Sequence, residues 1–397
     1  MSDNTNILRL VSSKDEYANP SNSRTWFLTG VTGFIGRQFF KKIINDTADN
    51  VIVIIRERGN LSALERGQRL LKTLFGDAHS PDLAKRITII AGDVTEDNLG
   101  LAEHDWARFA QLANYVVHMA ACTRFDASLT DARKQNVCGT NNVVDFAKAS
   151  AKHDLKTFVH LSTAYAAGDT TDLVGPDYLD VYGRFRNTYE QSKAEAEVNV
   201  RAAMNELPTI IFRPSIVVGD SRTGEAVGLS TVYWGIKSYL QGQRQFYANE
   251  DASLDLVPVD YVVNAMMSII KKDSALGNCY LLVGGNKKAI GLSDFTTMLC
   301  EHFSMPLPIF LSPEKLRKLR AMRLVAKLSR RHRVFLDQAF CYLPYFSQNP
   351  TFDCSKTESI LAGSEIRVPH LKEYVDTLLN YCVDQGWCTE SRLSATA

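Results

Sequence analysis

What the 397-residue chain has little of already narrows its class. Eight cysteines (122, 138, 279, 300, 341, 354, 382 and 388) are scattered along it without one C-x-x-C pair. That spacing offers neither a disulfide frame nor a zinc site and suits reduced thiols, so no metal is expected. No apolar run approaches the roughly 18 residues of a membrane-spanning helix. The N-terminal stretch carries Asp3, Asn4, Asp15 and Glu16 where a secretory signal would be basic and then apolar. A cytoplasmic setting is expected. With 45 basic against 44 acidic residues the formal charge is +1, so no global excess points to nucleic acid. Internal repeats and low-complexity tracts are missing too.

What remains is an ordinary globular composition, 45% hydrophobic and 22% charged. Residues 1–24 are polar and read as a mobile leader. Short apolar runs then recur at 26–29, 51–55, 87–91, 115–119, 157–161, 209–212 and 279–283. Most are continuous rather than alternating, as in strands buried on both faces. Helical patterns separate them, notably at 36–45, 61–75, 131–152 and 188–206. Alternating β and α predicts a Rossmann-type doubly wound parallel sheet of about seven strands. The expected division is a nucleotide-binding domain over 25–290 and a smaller, mostly helical C-terminal substrate domain over 291–397. Residues 219–254, rich in Gly, Ser and aromatics, and the tail are the expected walls of a substrate pocket.

The first strand runs into Thr29-Gly30-Val31-Thr32-Gly33-Phe34-Ile35-Gly36. Strand, glycine turn and helix in this order form a dinucleotide cradle, with the pyrophosphate on the helix N-terminus. Gly30 permits the turn, Gly33 admits the pyrophosphate, and Gly36 lets helix and strand approach. The second strand ends in Arg56-Glu57-Arg58, where an acidic residue would serve NAD and an arginine suits the 2′-phosphate of NADP. Arg56 is the first candidate, Arg37 the second, and Arg58 reads as a solvated bystander; NADPH is expected. Asp93, in Gly92-Asp93-Val94, either accepts from the adenine amino group or caps the next helix. His118-Met119-Ala120-Ala121 ends the fourth strand. Its alanines let a cofactor lie close, and His118 reads as a satisfied core histidine.

Tyr189 and Lys193 stand at i, i+4 on a stretch free of Gly and Pro from Thr188 to Leu207, so they share a helix face. A nearby ammonium is expected to lower the phenol's pKa and make it a proton donor. Thr163, at the end of the fifth strand, supplies a hydroxyl for a reacting carbonyl oxygen. Glycine loop, strand-end hydroxyl and Y-x-x-x-K in this order reinforce one another.

Taken together these stretches resemble the extended short-chain dehydrogenase/reductases, within them the fatty acyl-CoA reductase and thioester reductase branch with its male-sterility-type NAD-binding domain. The resemblance rests on Thr29–Gly36, Asp93-Val94 with Asn98–Leu101, His118–Asp126 and Asn136–Thr140. It continues through His160–Ala166, Asn187–Glu197, Arg213-Pro214-Ser215 and Asp255–Asn264. It covers roughly residues 26–290, and the tail more loosely. It implies that Thr163, Tyr189 and Lys193 are a catalytic trio, and that Pro214 and Ser215 lie by the nicotinamide. Asn136 either supports the lysine through water or is purely structural. The implied reaction is NADPH-dependent reduction of an acyl thioester to aldehyde, and a second hydride would give alcohol. Gly219–Gly224 looks more like carrier-protein thioester reductases, which are usually fused to a carrier domain that is not seen here. Coenzyme A and acyl carrier protein therefore both stand as thioester carriers. Rival readings are a ketone or sterol-type reductase, a sugar-nucleotide epimerase or dehydratase, and a non-catalytic NADP-binding redox sensor.

The tail adds a basic run over 315–333, from Lys315, Arg317 and Lys318 to Arg330, Arg331 and Arg333. Such a helix suits an anionic membrane surface, an acidic carrier protein or the phosphates of coenzyme A, or is a solvated face over an apolar underside. Oligomeric state is not legible.

Overall fold

The computed structural model describes residues 23–76, 81–227, 231–321 and 330–387. Seven strands form the main sheet: β1 (Thr25–Thr29), β2 (Asn50–Ile55), β3 (Ile87–Ala91), β4 (Tyr115–His118), β5 (Thr157–Leu161), β6 (Thr209–Pro214) and β7 (Asn278–Leu282). Their order is β7-β6-β5-β4-β1-β2-β3, and every pairing is parallel. The strand order reverses beside β1, which pairs with both β2 and β4. In a doubly wound sheet that is where a crevice opens beyond the carboxyl ends. The expected fold is the observed one.

Continuous apolar strands follow from two cores, one on each face of the sheet. Phe27, Ile52, Ile54 and Val116 face one, while Trp26, Leu28, Val51, Val53 and Val117 face the other. Neighbouring side chains on a strand point to opposite faces, and here neither face meets water. Most of the tail's described core residues join these two clusters. Phe295, Leu299, Leu378 and Leu379 join the first cluster, and Leu361 joins the second. Packing is thus continuous across the expected division at residue 290. Only a small third cluster, with Trp234, Leu316, Leu336, Ala339 and Leu343, stands apart.

Two helices depart from expectation in useful ways. The stretch read as one helix over 131–152 is three pieces: Leu129–Arg133, a π-helical turn at Lys134–Cys138, and Gly139–Ala151. A π-turn re-aims one side chain inside an otherwise regular helix; here it carries Asn136. Residues 219–254 hold a helix, Thr231–Leu240, that their glycine content had obscured. The leader falls outside the described residues except for Ser23 and Arg24, whose guanidinium donates to the Tyr115 hydroxyl at 2.6 Å.

Helix Thr188–Ala203 is locked to the sheet by charge. Glu197 is fully buried and receives two parallel bonds from the buried Arg213 on β6, each 2.8 Å. Ser162 donates to the same carboxylate at 2.6 Å and Arg201 at 2.8 Å, while Arg213 also donates to Tyr178 O. Removing one partner of such a pair leaves a desolvated charge. Glu197→Ala should therefore lower the unfolding free energy by about 3–5 kcal/mol. Urea titration measures it, and a loss below about 1 kcal/mol would contradict the arrangement.

Candidate active site

The glycine turn has the geometry that a phosphate cradle needs. Gly30 has φ +77°, and a Cβ there would fall within the Met119–Ala120 backbone. A Cβ on Gly36 would collide with Gly30 itself, so the helix Phe34–Asp46 can start this close to the turn only with glycine at that position. At Gly33 a Cβ would meet only Gly30 O, at 3.2 Å, and otherwise occupy the crevice. Gly33 is also the N-cap, and no side chain caps the helix there. Its first-turn N–H groups are left to bind an anion.

Two connected hollows meet at this turn. One, about 930 Å³ with its opening, is lined by Gly30, Thr32, Gly33, Arg56, Asp93, Val94, Ala120 and Ala121. Arg58 and Arg66 stand in the same wall. The other, about 2150 Å³ with its opening, takes Phe34, Ile35 and Gly36 on one side. Thr163, Tyr189, Lys193, Pro214 and Ser215 line it on the other. The structure thus gathers the sequence-derived candidates into one continuous crevice, apart from Arg37 and Asn136.

Arg37 points elsewhere. Its Nη2 donates to Thr32 O at 3.3 Å, and its charge faces Glu225 and Tyr381. The residue that sequence reading missed is Arg66, one turn into the helix Ala63–Phe75, whose guanidinium reaches Arg56 O and Thr32 Oγ1. Burial and the neighbouring charges of Arg58 and Arg56 lower its pKa. Three converging guanidinium groups repel one another and favour an anion between them. Arg58, expected as a solvated bystander, is exposed and also lines this wall. A third arginine shortly after R-x-R at a strand end was the available signal. Arg56 also lies 3.6 Å from Asp93 and donates to Gln135. Asp93 in turn accepts from Thr95 N at 3.0 Å, so it shapes its loop as well as the crevice.

Asn136 touches neither the crevice nor Lys193. Its Oδ1 accepts from Cys122 N at 2.7 Å, and its Nδ2 donates to Cys122 O and to Ser192 Oγ. It is a positioning residue that ties the segment after β4 to helix Thr188–Ala203. Ser215 is similar, its hydroxyl bonded to buried Asp255, which also accepts from Gly284 N and Gly285 N. His118 is the satisfied core histidine expected. Its two ring nitrogens meet Thr29 at 2.8 Å and Thr140 at 3.0 Å, and burial pushes its pKa down to about 3.

Electrostatics depart from the helix-face argument. Tyr189 and Lys193 do lie one turn apart, and both line the crevice. Yet Lys193 Nζ donates to Leu161 O at 2.8 Å and lies 3.3 Å from His160 Nε2. Burial pushes the Tyr189 phenol up to about 12; Thr163, its hydrogen-bond partner, pulls it down, and Glu190 adds to the rise. The lysine does not lower it. Desolvation instead takes the lysine down to about 8, opposed by Glu197. What results is a phenol protonated throughout the neutral range beside an ammonium that is easily discharged.

The crevice is closed by the tail. Asp337, Gln338, Cys341 and Tyr342, on helix Arg330–Tyr342, line it opposite the sheet. The following Tyr345 donates to the buried Glu190 at 2.7 Å and accepts from Asn187 Nδ2 at 2.8 Å. Its ring stacks on Phe125, with centroids 5.1 Å apart, and Phe125 lies 5.7 Å from Tyr189. The tail therefore grips helix Thr188–Ala203 one residue from the phenol. Of the expected basic run, residues 322–329 lie outside the described residues, while Lys315, Arg317, Lys318 and Arg333 are exposed.

A family model described as male sterility protein, an NAD-binding domain, matches residues 28–266, more than half of the chain. The chain belongs to that family. By fold and family it carries a nicotinamide-dinucleotide-binding domain. Fatty acyl-CoA reductase 1 of Mus musculus is 29% identical over 276 residues, 61% of this chain and 53% of that protein. Fatty acyl-CoA reductase wat of Drosophila melanogaster is 30% identical over 284 residues, with the same two shares. The chain spans about half the length of these relatives. Among solved structures, the terminal R domain from the myxalamid PKS-NRPS biosynthetic pathway superposes with TM-score 0.79 at 25% identity, covering 93% of each chain. A UDP-glucuronic acid 4-epimerase from Bacillus cereus, in complex with NAD, reaches 0.64 at 18% and shares the fold alone. It covers 91% of this chain and 99% of its own.

The Lys193 shift has a stability consequence. A lysine titrates near ~10.4 when unfolded but at about 8 here, so between these values the unfolded chain binds more protons. Stability therefore gains from this group as pH rises through that window, by about 3 kcal/mol in all. Urea unfolding at several pH values should show wild type gaining on Lys193→Met across it, and parallel curves would contradict the burial.

Proposed function

We propose that the chain is an NADPH-dependent reductase of acyl thioesters. The observation carrying this reading is the convergence of Thr163, Tyr189 and Lys193 with Pro214 on the crevice that also holds the glycine turn. The fatty acyl-CoA reductase relatives and the R-domain likeness support the same substrate class. The arginine trio Arg56, Arg58 and Arg66 supports NADPH over NADH, since a 2′-phosphate is the anion that such a cluster suits.

Bound there, the reduced nicotinamide supplies the hydride. Gly33 and the open helix N-terminus hold the pyrophosphate. The Thr163 and Tyr189 hydroxyls meet the thioester oxygen as negative charge grows on it. Tyr189 provides the proton, and its raised pKa keeps it loaded at neutral pH. Lys193, which lines the crevice, would hold the nicotinamide ribose and lend it positive charge. Coenzyme A and acyl carrier protein share the phosphopantetheine thioester, and the exposed lysines and arginines of the tail suit the phosphates of either. A cytoplasmic setting is part of the same proposal.

NADPH consumption on a panel of acyl-CoA and acyl-carrier thioesters, with product extraction, tests the reading. Turnover with thiol release is expected, and Tyr189→Phe should lower kcat by about 10²–10⁴. The product separates aldehyde from alcohol. Absence of turnover on every thioester, with NADPH still bound, would overturn the substrate class. Arg66→Ser should raise the KM for NADPH about tenfold or more while leaving that for NADH unchanged; equal effects on both would overturn the cofactor preference.

A further inference from the structure

A second hollow lies behind the tail wall of the crevice. Helix Thr231–Leu240, helix Leu292–Phe303, helix Arg330–Tyr342 and the paired strands Gln245–Tyr247 and Ile309–Leu311 enclose it. It comprises about 630 Å³ of atom-free space, part of it open to solvent, and Ile236, Phe246, Phe295, Leu299, Phe310 and Phe335 are among its walls. Protein interiors leave few voids larger than a water, and this hollow exceeds that size. A hollow this apolar offers water almost nothing to bond, so its natural contents are hydrocarbon.

Gly235 sharpens the case. It sits in the middle of helix Thr231–Leu240 and lines the hollow, and beyond its own turn a Cβ built on it meets no atom of the described residues within 4 Å. Glycine is the poorest helix former after proline, and alanine would fit this space without strain. The position forgoes helix stability and keeps the hollow open.

The hollow and the catalytic crevice share a wall. Phe335 and Ala339 of helix Arg330–Tyr342 face the hollow, whereas Gln338 and Tyr342 of the same helix face the crevice. Trp234 stands between them: its ring stacks on Phe335 at 5.3 Å, tilts over Tyr342 at 5.4 Å, and its Nε1 donates to Gln338. The partition is one indole thick.

We propose that the hollow receives the methyl-terminal part of a long unbranched acyl chain whose thioester lies at Tyr189, and that Gly235 sets the length of chain accepted. The inference rests on the thioester reading and adds a binding site to it. The head of the substrate needs polar groups and finds them in the crevice; the far end of a long alkyl chain needs none and finds none in the hollow. A short acyl chain ends before the partition and does not feel position 235.

Gly235→Leu fills the space, and Gly235→Ala fills part of it while favouring the helix. Both are compared with wild type for kcat/KM on hexadecanoyl and butanoyl thioesters, and for hexadecanol binding by calorimetry. NADPH affinity and far-UV circular dichroism report folding. The expected result is a fall of about tenfold or more in hexadecanoyl kcat/KM and in hexadecanol affinity for Gly235→Leu, with a smaller fall for Gly235→Ala. Butanoyl turnover stays at the wild-type value. Equal effects on long and short chains, or undiminished hexadecanol binding in Gly235→Leu, would overturn the assignment. If Gly235→Leu fails the folding controls, Gly235→Ala decides by the same two readouts. Should wild type turn over no thioester at all, the reductase reading fails by itself, and hexadecanol binding that is lost on filling position 235 still upholds the hydrocarbon site.

Discussion

The buried pairing of Glu197 with Arg213 is the constraint on which the site depends. It joins the middle of helix Thr188–Ala203 to β6, and through Ser162 it reaches the end of β5. Those three elements carry Tyr189 and Lys193, Pro214, and Thr163 respectively. A pair taken out of water is worth keeping only if every oxygen and nitrogen finds a partner. Here Arg201, Ser162 and the Tyr178 carbonyl complete the set. The carboxylate stays ionised despite its burial, because Arg213 and Arg201 stand beside it. It also provides the one opposing charge that keeps Lys193 from falling further.

Desolvation sets the chemistry of the crevice more than any pairwise contact does. It holds His118 and His160 neutral, brings Lys193 within reach of neutral pH, and keeps Tyr189 protonated. All four groups sit at or near the carboxyl ends of parallel strands, packed from both faces. The sheet that positions the groups therefore also tunes them. A helix-only view predicts a lysine that makes its neighbouring tyrosine more acidic. The folded environment makes the lysine less basic and leaves the phenol weakly acidic.

Legibility followed the range of the interaction. The seven strands could be read because burial on two faces leaves an unbroken apolar run, and the glycine turn because no other residue fits Gly30 or Gly36. Spacing alone was enough to put Tyr189 and Lys193 on one face. The direction of the tyrosine shift was not legible, since it is set by the burial of the phenol in the folded crevice, which spacing on a helix does not reveal. Arg37 and Arg66 exchanged importance for a similar reason. Arg37 is nearer the glycine loop in sequence, but helix Ala63–Phe75 brings Arg66 to the end of β2. For Asn136 the sequence left a lysine-supporting and a structural role open; its direct partners, Cys122 and Ser192, depend on where the π-turn aims it. Packing across the expected division at residue 290 was not legible either, because the tail residues Phe295, Leu299 and Leu361 join clusters whose other members lie far away in the sequence.

The tail wall draws on a thinner reserve of cohesion than the sheet it covers. Helix Arg330–Tyr342 is held by the small cluster around Trp234 and Leu336, and it ends at the Tyr345–Glu190 bond. Few buried contacts mean a low local opening free energy, so this wall can part while both faces of the sheet stay intact. Opening would expose the apolar hollow behind it while the glycine turn and the sheet stay in place, so partial unfolding is expected to start at this latch.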